Sequence, residues 1–292
     1  GEAVVLENTR FYSEEYMEFP PEQAAQTHLV ERLSTVLDAY VNDAFAAAHR
    51  SQPSLVGLPT RLPGYAGRVM EAELDVLGGV EDTDAPRAYV LGGAKVSDSI
   101  GVAESVLERG IADHVLTTGV VGNVFLFADG ADIGDATADF IHEQGYWEYI
   151  DDAADLLEQY GDSIHLPADV AVERNDARYE LAREEFPPAD DEAAMDVGTE
   201  TVAAYSAVLE DAETVVLNGP AGVFEEETFA DGTRKLYATA AESAYSIVGG
   251  GDTAAAIRKF DLDGFDHVST GGGAALRMLT GESLPAVEAL EQ

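Results

Sequence analysis

The chain has 292 residues, of which 46% are hydrophobic, and its 56 acidic and 16 basic side chains give a formal net charge of −40. Length and apolar content predict one large or two ordinary folded domains, and the acidity argues against a nucleic-acid partner. The absence of cysteine excludes disulfides, thiolate zinc sites and cysteine nucleophiles, and no apolar run or basic leader predicts a membrane span or export, so a cytoplasmic location is expected.

The acidic residues are expected to coat an ordered surface, because the apolar content is that of a folded protein. Repulsion among these charges should destabilise the fold in dilute buffer. At roughly 1 M salt the Debye length falls to about 3 Å, so most of that repulsion is screened. The composition therefore predicts a protein adapted to a high-salt cytoplasm.

The first stretch of the chain predicts short strands at Val4 and Ala39, with a helix over residues 21–33 between them. The segment PTRLPGYAG after Leu58 contains two prolines and two glycines and indicates a domain boundary. A helix is predicted over residues 65–77.

From Arg87 onward strand and helix patterns alternate, which predicts an α/β fold with a doubly wound, Rossmann-like parallel sheet beside a partial α/β domain at the amino terminus. Residues 167–196 are rich in charge and contain two prolines, so an irregular surface loop with a short helix is expected there. The predicted strands cover residues 88–91, 114–117, 163–166, 214–217, 245–248 and 267–269.

Four predicted strands run into glycine-rich turns that precede helical segments: AYVLGGAKVSD, VVLNGPAGVFE, YSIVGGGDTAA and HVSTGGGAAL. The first amides of a helix lack internal partners, and glycine lets an anion approach them closely. Because parallel strands end at one sheet edge, these loops are expected to line one crevice that binds nucleotide phosphates.

Two charged residues in these turns have competing interpretations. Lys95 could be an ordinary surface charge, but lysine is almost absent here and a cation at a helix start opposes the helix dipole unless an anion is present. A phosphate contact is therefore favoured. Asp252 could cap its helix or hold magnesium beside nucleotide phosphates, and its spacing leaves both open.

Other candidates have stronger structural explanations when each is taken alone. Glu225 opens an acidic run typical of a solvated surface, and Asn218 with Pro220 suits a tight turn. Arg10 and Arg50 are of a type common in structural roles, and the six histidines lack metal-ligand spacing. The P-loop motif GxxxxGK[ST] and the hydrolase motif GxSxG are both absent.

Together, and in order, several strings resemble phosphoglycerate kinases: LENTRF, YVNDAFAAAHR, VLGGAKVSDSI, LNGPAGVFE, IVGGGDTAAA, and VSTGGGAALRML followed by LPAVEAL. The variants VLGGAKVSDSI and TTGVVGNVFL resemble archaeal members. The resemblance implies a two-domain, hinge-closing kinase of glycolysis and gluconeogenesis. It transfers a phosphoryl group reversibly between 1,3-bisphosphoglycerate and ADP, giving 3-phosphoglycerate and ATP, with Mg²⁺ bound to the nucleotide.

The resemblance also assigns roles to the residues above. Arg10 and Arg50 correspond to triose-substrate ligands, Glu225 to a ribose ligand and Asp252 to a magnesium ligand. The expected nucleotide-binding residues are Gly92, Gly93, Ala94, Lys95, Asn218, Gly219, Pro220, Glu225, Gly250, Gly251, Asp252 and Thr253, with Gly271, Gly272 and Gly273 as the catalytic phosphate loop.

Two departures from the family pattern stand out. Many members have a second lysine four positions after the first, where this chain has Ser99. The early substrate-binding segments of the family have no counterpart, so the chain is expected to be a fragment that binds magnesium nucleotide but turns over substrate poorly or not at all. At full length a monomer is expected.

The resemblance divides the chain into a partial phosphoglycerate-binding domain (1–64), an interdomain helix (65–79), a nucleotide-binding domain (80–281) and a tail returning to the first domain (282–292). Two other functions are considered. An NAD-dependent oxidoreductase is disfavoured because no GxGxxG precedes a suitably spaced acidic residue. A nucleotide-binding module without catalysis is the second alternative.

Overall fold

A computed structural model describes residues 2–291 and divides the chain into two compact units. The first unit comprises the described part of Gly1–Val80 and Thr270–Gln292, and the second comprises Glu81–Ser269. No helix within residues 2–291 combines the length and the apolar character needed to cross a membrane.

The strands follow in chain order: β1 Tyr40–Asn42, β2 Gly64–Ala66, β3 Arg87–Leu91, β4 His114–Thr117, β5 Ile164–His165, β6 Asp169–Arg174, β7 Ala177–Ala182, β8 Asp196–Val197, β9 Thr214–Asn218, β10 Tyr245–Gly249 and β11 His267–Val268. The α-helices are α1 Pro21–Ala24, α2 His28–Ser34, α3 Arg68–Gly78, α4 Val96–Glu108, α5 Gly119–Ala128, α6 Asp135–Glu143, α7 Ile150–Tyr160, α8 Thr199–Asp211, α9 Asp231–Ser243, α10 Gly251–Phe260, α11 Gly272–Leu279 and α12 Pro285–Glu288.

The second unit is built on a parallel sheet with the strand order β11-β10-β9-β3-β4-β5. This is the order of a doubly wound sheet, in which connections run outward from a central pair of strands. That pair is β3 and β9, and both are almost wholly buried. The predicted fold class is confirmed, and ligands of such folds bind at the carboxyl ends of this central pair.

Most predicted strands of the second unit lie where the pattern put them, because each is a short segment that contains valine or isoleucine. The region 167–196 is different: the expected irregular loop contains an antiparallel sheet in the order β7-β6-β8. Its hairpin turns at Asn175 and Asp176, which have φ values of 54° and 57°. These are residue types that tolerate positive φ in a two-residue turn. The prediction of a loop was wrong because this turn signal was overlooked.

Two predictions for the first unit were also wrong. The run at Val4 belongs to no strand, and Val5 is 96% exposed. The helix expected over residues 21–33 is divided into α1 and α2. The carboxylate of Glu14 accepts hydrogen bonds from the backbone N–H groups of His28 and Leu29, at 3.1 and 3.2 Å, so a new helix begins there.

The second unit ends at Ser269, whereas the nucleotide-binding domain expected from the sequence ends at residue 281. Residues after 269 pack with the first unit instead. The Thr270 N–H and Oγ1 donate to Glu73 Oε1 at 2.5 and 2.7 Å, and a Cβ added to Gly271 would lie 2.5 Å from the Phe45 ring. The Gly271 to Gly273 loop, which begins α11, therefore belongs to the first unit.

Candidate functional site

Three of the glycine-rich loops converge at the carboxyl ends of the adjacent strands β3, β9 and β10. They form one small cleft, here named the phosphate cleft. Its lining contains most of the predicted nucleotide-binding residues: Gly92, Gly93, Ala94, Lys95, Asn218, Gly219, Gly250, Gly251, Asp252 and Thr253.

The loops after β3 and β9 touch backbone to backbone, which explains their glycines. A Cβ on Gly92 would lie 2.4 Å from the Pro220 carbonyl oxygen, and one on Gly219 would lie 2.1 Å from the Gly92 oxygen. Gly219 also has a φ of 92°, which side-chain-bearing residues rarely adopt. Gly93 N–H donates to the Pro220 oxygen at 2.7 Å. The two loops therefore form one backbone-bonded assembly.

Two helices begin at this cleft with unblocked amino ends. The cap positions of α4 and α10 are Lys95 and Gly250, and neither makes a side-chain cap hydrogen bond. The first N–H groups of a helix lack intrahelical acceptors and carry the positive end of its dipole. The phosphate cleft is therefore suited to an anion with several oxygens.

Lys95 is exposed, and its ammonium group makes no hydrogen bond or ion pair with any residue the structure describes. The other two lysines have oxygen partners. Lys235 Nζ lies 3.2 Å from Asp231, and Lys259 Nζ donates to the carbonyl oxygens of Phe224 and Glu225 at 2.6 and 2.8 Å. Lys95 thus has a charge available for an anionic ligand.

Asp252 occupies the second position of α10, and the helix cap is Gly250. The capping role that the sequence left open for Asp252 is therefore not observed. Its carboxylate is exposed, and within residues 2–291 it has no hydrogen-bond or ion-pair partner. The same residues contain no group of three metal-ligating side chains. A carboxylate beside a phosphate site still fits magnesium, which takes one or two carboxylates with phosphate and water oxygens.

A second cavity of about 290 Å³, here named the apolar cavity, adjoins the phosphate cleft and shares Gly93, Ala94 and Asp252 with it. Its walls are mainly apolar, including Val120, Val223 and Phe224, and Glu225 lies at its border. Flat, apolar groups with a polar edge suit such a space. Pro220 and Glu225, predicted from sequence, both line it.

Part of the apolar cavity was not predicted. Met195 lies in the region expected to be a loop and Val197 directly follows that region, so no sequence signal pointed to them. Phe224 stands directly before Glu225 in GPAGVFE and could have been inferred from that string. Asn123 on α5 also lines the cavity, and its Nδ2 donates to the Ala194 oxygen at 3.3 Å.

Asp196 forms a buried wall of the same cavity. Burial raises its pKa to about 6, because loss of water outweighs the hydrogen bonds donated by Gly232, Arg178 and Val197. The Arg178 guanidinium lies 2.8 Å from the Asp196 carboxylate. A Cβ on Gly222 would lie 2.4 Å from Asp196 Oδ1, so this carboxylate packs directly against the loop after β9.

The remaining predicted residues lie in the first unit. Arg10 is exposed in a 3₁₀ turn, with its guanidinium carbon 5.9 Å from the centre of the Tyr16 ring. Arg50 Nε donates to His49 Nε2 at 3.3 Å, and a Cβ on Gly273 would lie 3.2 Å from that same nitrogen.

The structure therefore places Arg50 beside the Gly271 to Gly273 loop. His49, which the sequence analysis gave no function, lies between Arg50 and Gly273. Burial, and to a smaller extent the positive charge of Arg277, lowers the pKa of His49. The ring is therefore neutral and can accept the hydrogen bond from Arg50.

Comparison with known proteins is consistent across sequence and structure. The family model described as phosphoglycerate kinase matches residues 1–282. The phosphoglycerate kinase of Halobacterium salinarum is 67% identical over 290 residues, covering 99% of this chain and 73% of that protein. That of Natronomonas pharaonis is 62% identical and covers 100% of this chain and 74% of that protein.

A solved structure gives the same result. The crystal structure of phosphoglycerate kinase from Pyrococcus horikoshii OT3 matches with a TM-score of 0.93 and 43% identity, over 97% of this chain and 71% of that chain. The resemblance inferred from the ordered sequence motifs is confirmed, as is the similarity to archaeal and halophilic members.

Proposed function

The chain belongs to the phosphoglycerate kinase family, and we propose that its phosphate cleft and apolar cavity together bind the magnesium complex of ADP or ATP for the family's reaction. The chain is accordingly a phosphotransferase. The family match leaves the NAD-dependent oxidoreductase and the non-catalytic nucleotide module without support.

The reaction requires little from the protein beyond binding and charge. A terminal phosphate oxygen of ADP attacks the phosphorus of the acyl phosphate, the bond to the acyl oxygen breaks, and 3-phosphoglycerate leaves as a carboxylate. Neither the attacking oxygen nor the leaving group exchanges a proton, so no general base is needed. In-line positioning and preorganised positive potential carry such transfers.

The nucleotide phosphates are assigned to the phosphate cleft. The backbone amide of Ala94, with those at the start of α10, meets the phosphate oxygens, and the Lys95 ammonium adds a charge that no group within residues 2–291 neutralises. Asp252 is the carboxylate that would hold magnesium, which supplies positive charge against the nucleotide's terminal oxygens.

The nucleoside is assigned to the apolar cavity. Its apolar walls suit the faces of the base, while Glu225 lies at the border, where a carboxylate can accept hydrogen bonds from ribose hydroxyls. Lys259 holds the backbone on both sides of this position through the Phe224 and Glu225 carbonyls. Asn218 and Pro220 complete the turn between the two spaces.

The triose substrate is assigned to the first unit. Arg50 presents a guanidinium whose Nε is bonded to neutral His49, and the Gly271 to Gly273 loop adds the amino end of α11. Arg10 is the second proposed ligand. Ser99 is fully buried on the inner face of α4, so it does not replace the lysine that many members have there.

The unpaired Lys95 in a cleft formed by three strand ends is the observation that carries this assignment. Calorimetry with MgADP in concentrated potassium chloride tests it. Lys95→Ala is expected to weaken binding by about tenfold or more, because a hydrogen bond to a charged group is lost. Lys235→Ala is the matched control and should bind as the unaltered chain does, since Lys235 pairs with Asp231 away from the cleft. Equal affinities for all three chains would contradict the assignment.

A further inference from the structure

The hydroxyl of Tyr237 is a buried polar group without a regular hydrogen bond. Tyr237 lies on α9, is 0% exposed, and its Oη has no partner among the residues that the structure describes. A buried hydroxyl in this state costs folding free energy, and phenylalanine would fill the same space without that cost.

The position of Tyr237 places it behind the phosphate cleft. Four residues earlier on α9, Thr233 Oγ1 accepts a hydrogen bond from Ala221 N–H at 2.9 Å. Residues four apart share a helix face, so Tyr237 lies on the face of α9 that supports the loop after β9. Tyr237 also packs in one core cluster with Ala221 and with Ala256 of α10.

Thr253 is the neighbouring group that lines the cleft. Its Oγ1 accepts a hydrogen bond from Gly219 N–H at 2.8 Å, and a Cβ on Gly250 would lie 3.3 Å from the same oxygen. Burial raises the pKa of Tyr237, and the Thr253 hydroxyl lowers it in part. The two hydroxyls are thus close enough to interact, although they form no hydrogen bond of regular geometry.

The hydroxyl groups of Thr253 and Tyr237 together have one more proton than the contact between them can accept. A threonine hydroxyl has one proton and two acceptor positions, and Gly219 N–H fills one of those positions. The protons of Thr253 and Tyr237 then compete for the contact between the two oxygens. Whichever hydroxyl donates, the proton of the other lacks an acceptor among the described residues. Thr253 lines the cleft and Tyr237 does not, so an oxygen entering the cleft can accept only the Thr253 proton.

We infer that Tyr237 is a positioning residue that directs the Thr253 hydroxyl toward a nucleotide phosphate. With the nucleotide bound, Tyr237 donates to Thr253 Oγ1, Gly219 N–H donates to the same oxygen, and the Thr253 proton is left for a phosphate oxygen. Every donor then has an acceptor. The inference rests on the proposed binding of nucleotide phosphates in this cleft.

The test is Tyr237→Phe in the whole chain, measured by calorimetry with MgADP and by thermal melting in concentrated potassium chloride. The melting temperature should be equal to or higher than that of the unaltered chain, because the ring is kept and an unpaired hydroxyl is removed. The Kd for MgADP should rise by about two- to tenfold, as expected for one hydrogen bond. A merely structural tyrosine would not lower affinity while preserving stability.

Tyr205→Phe is the matched control. Tyr205 is equally buried in the same core, but its hydroxyl donates to the carbonyl oxygens of Thr117 and His165 at 3.0 and 2.7 Å. This variant should melt at a lower temperature and bind MgADP with unchanged affinity. In a Thr253→Val background, Tyr237→Phe should no longer change the Kd, because the hydroxyl it orients is gone.

Two results would overturn the inference: an unchanged Kd for Tyr237→Phe, or an effect of the same size with and without the Thr253 hydroxyl. Failure of the unaltered chain to bind MgADP is a separate result. It would overturn the proposed function, on which this inference rests.

Discussion

Lys95 and Asp252 are the charged residues that line the phosphate cleft in the described chain, and each lacks a protein partner there. Most other cations of the second unit are paired, for example Arg178 with Asp196 and Arg234 with Glu227. Cations held in such pairs are not available to a ligand. The two unpaired groups have opposite sign, as a site for a nucleotide phosphate and its divalent cation requires.

Asp252→Asn should remove most of the magnesium dependence of nucleotide binding. We expect the affinity for MgADP to fall by about tenfold, since the metal loses its carboxylate. Affinity for metal-free ADP should stay equal or improve, because a negative charge beside the phosphates is removed. Calorimetry with and without a chelator measures both. Asp211→Asn, at the far end of α8, is the control and should leave both affinities unchanged.

The buried carboxylate of Asp196 should make stability depend on pH. Its pKa of about 6 in the fold exceeds the ordinary value, so the folded state binds more protons than the unfolded state between about pH 4 and 6. Its contribution to the free energy of unfolding therefore falls as the pH rises through that window, by on the order of 2 kcal/mol.

Denaturant unfolding of the unaltered chain and of Asp196→Asn at pH 4.5 and pH 7 checks the sign. Relative to Asp196→Asn, the unaltered chain should have a lower free energy of unfolding at pH 7 than at pH 4.5. An identical difference at both values would show that Asp196 ionises normally in the fold.

At the scale of elements, the parallel sheet was predictable because its strands are short apolar runs that end in glycine turns. The antiparallel sheet β7-β6-β8 was missed because charged residues such as Glu173 and Arg174 mask its alternation. The apolar cavity was missed with it, since one wall comes from β8. The phosphate cleft is formed by three glycine-rich loops that can be recognised in the sequence. The structure brings together the residues that were predicted in those loops.

A crowded glycine in one of these loops and an uncrowded glycine inside a helix should respond oppositely to alanine. Gly92→Ala would place a Cβ 2.4 Å from both the Pro220 oxygen and Thr118 Oγ1, so it should destabilise the chain by about 1 to 3 kcal/mol. Gly101→Ala, inside α4 with open space around it, should stabilise the chain by about 1 kcal/mol. Denaturant unfolding measures both free energies. Equal changes in the free energy of unfolding for the two variants would contradict the close packing of the loops at Gly92.

At the scale of the whole molecule, net charge dominates. A formal charge of −40 on 292 residues means that the excess acidic side chains repel one another, while the apolar cores are those of an ordinary α/β protein. Relatives from Halobacterium salinarum and Natronomonas pharaonis, which share 67% and 62% of aligned residues, agree with adaptation to salt.

Raising the salt from about 0.1 M to about 2 M should therefore raise the melting temperature, on the order of 10 °C, because the Debye length shrinks below typical charge spacings. Sodium and potassium chloride should act alike, since screening depends on ionic strength. A melting temperature that does not respond to either salt would show that self-repulsion is not what limits stability.

The scarcity of lysine has a chemical consequence. Amine-acylating reagents modify accessible lysines, and of the three in this chain Lys235 and Lys259 have oxygens around their ammonium groups, whereas Lys95 has none among residues 2–291. The Lys95 amine is thus a selective site for covalent labelling at the phosphate cleft, and any ligand that covers this amine should shield it from the reagent.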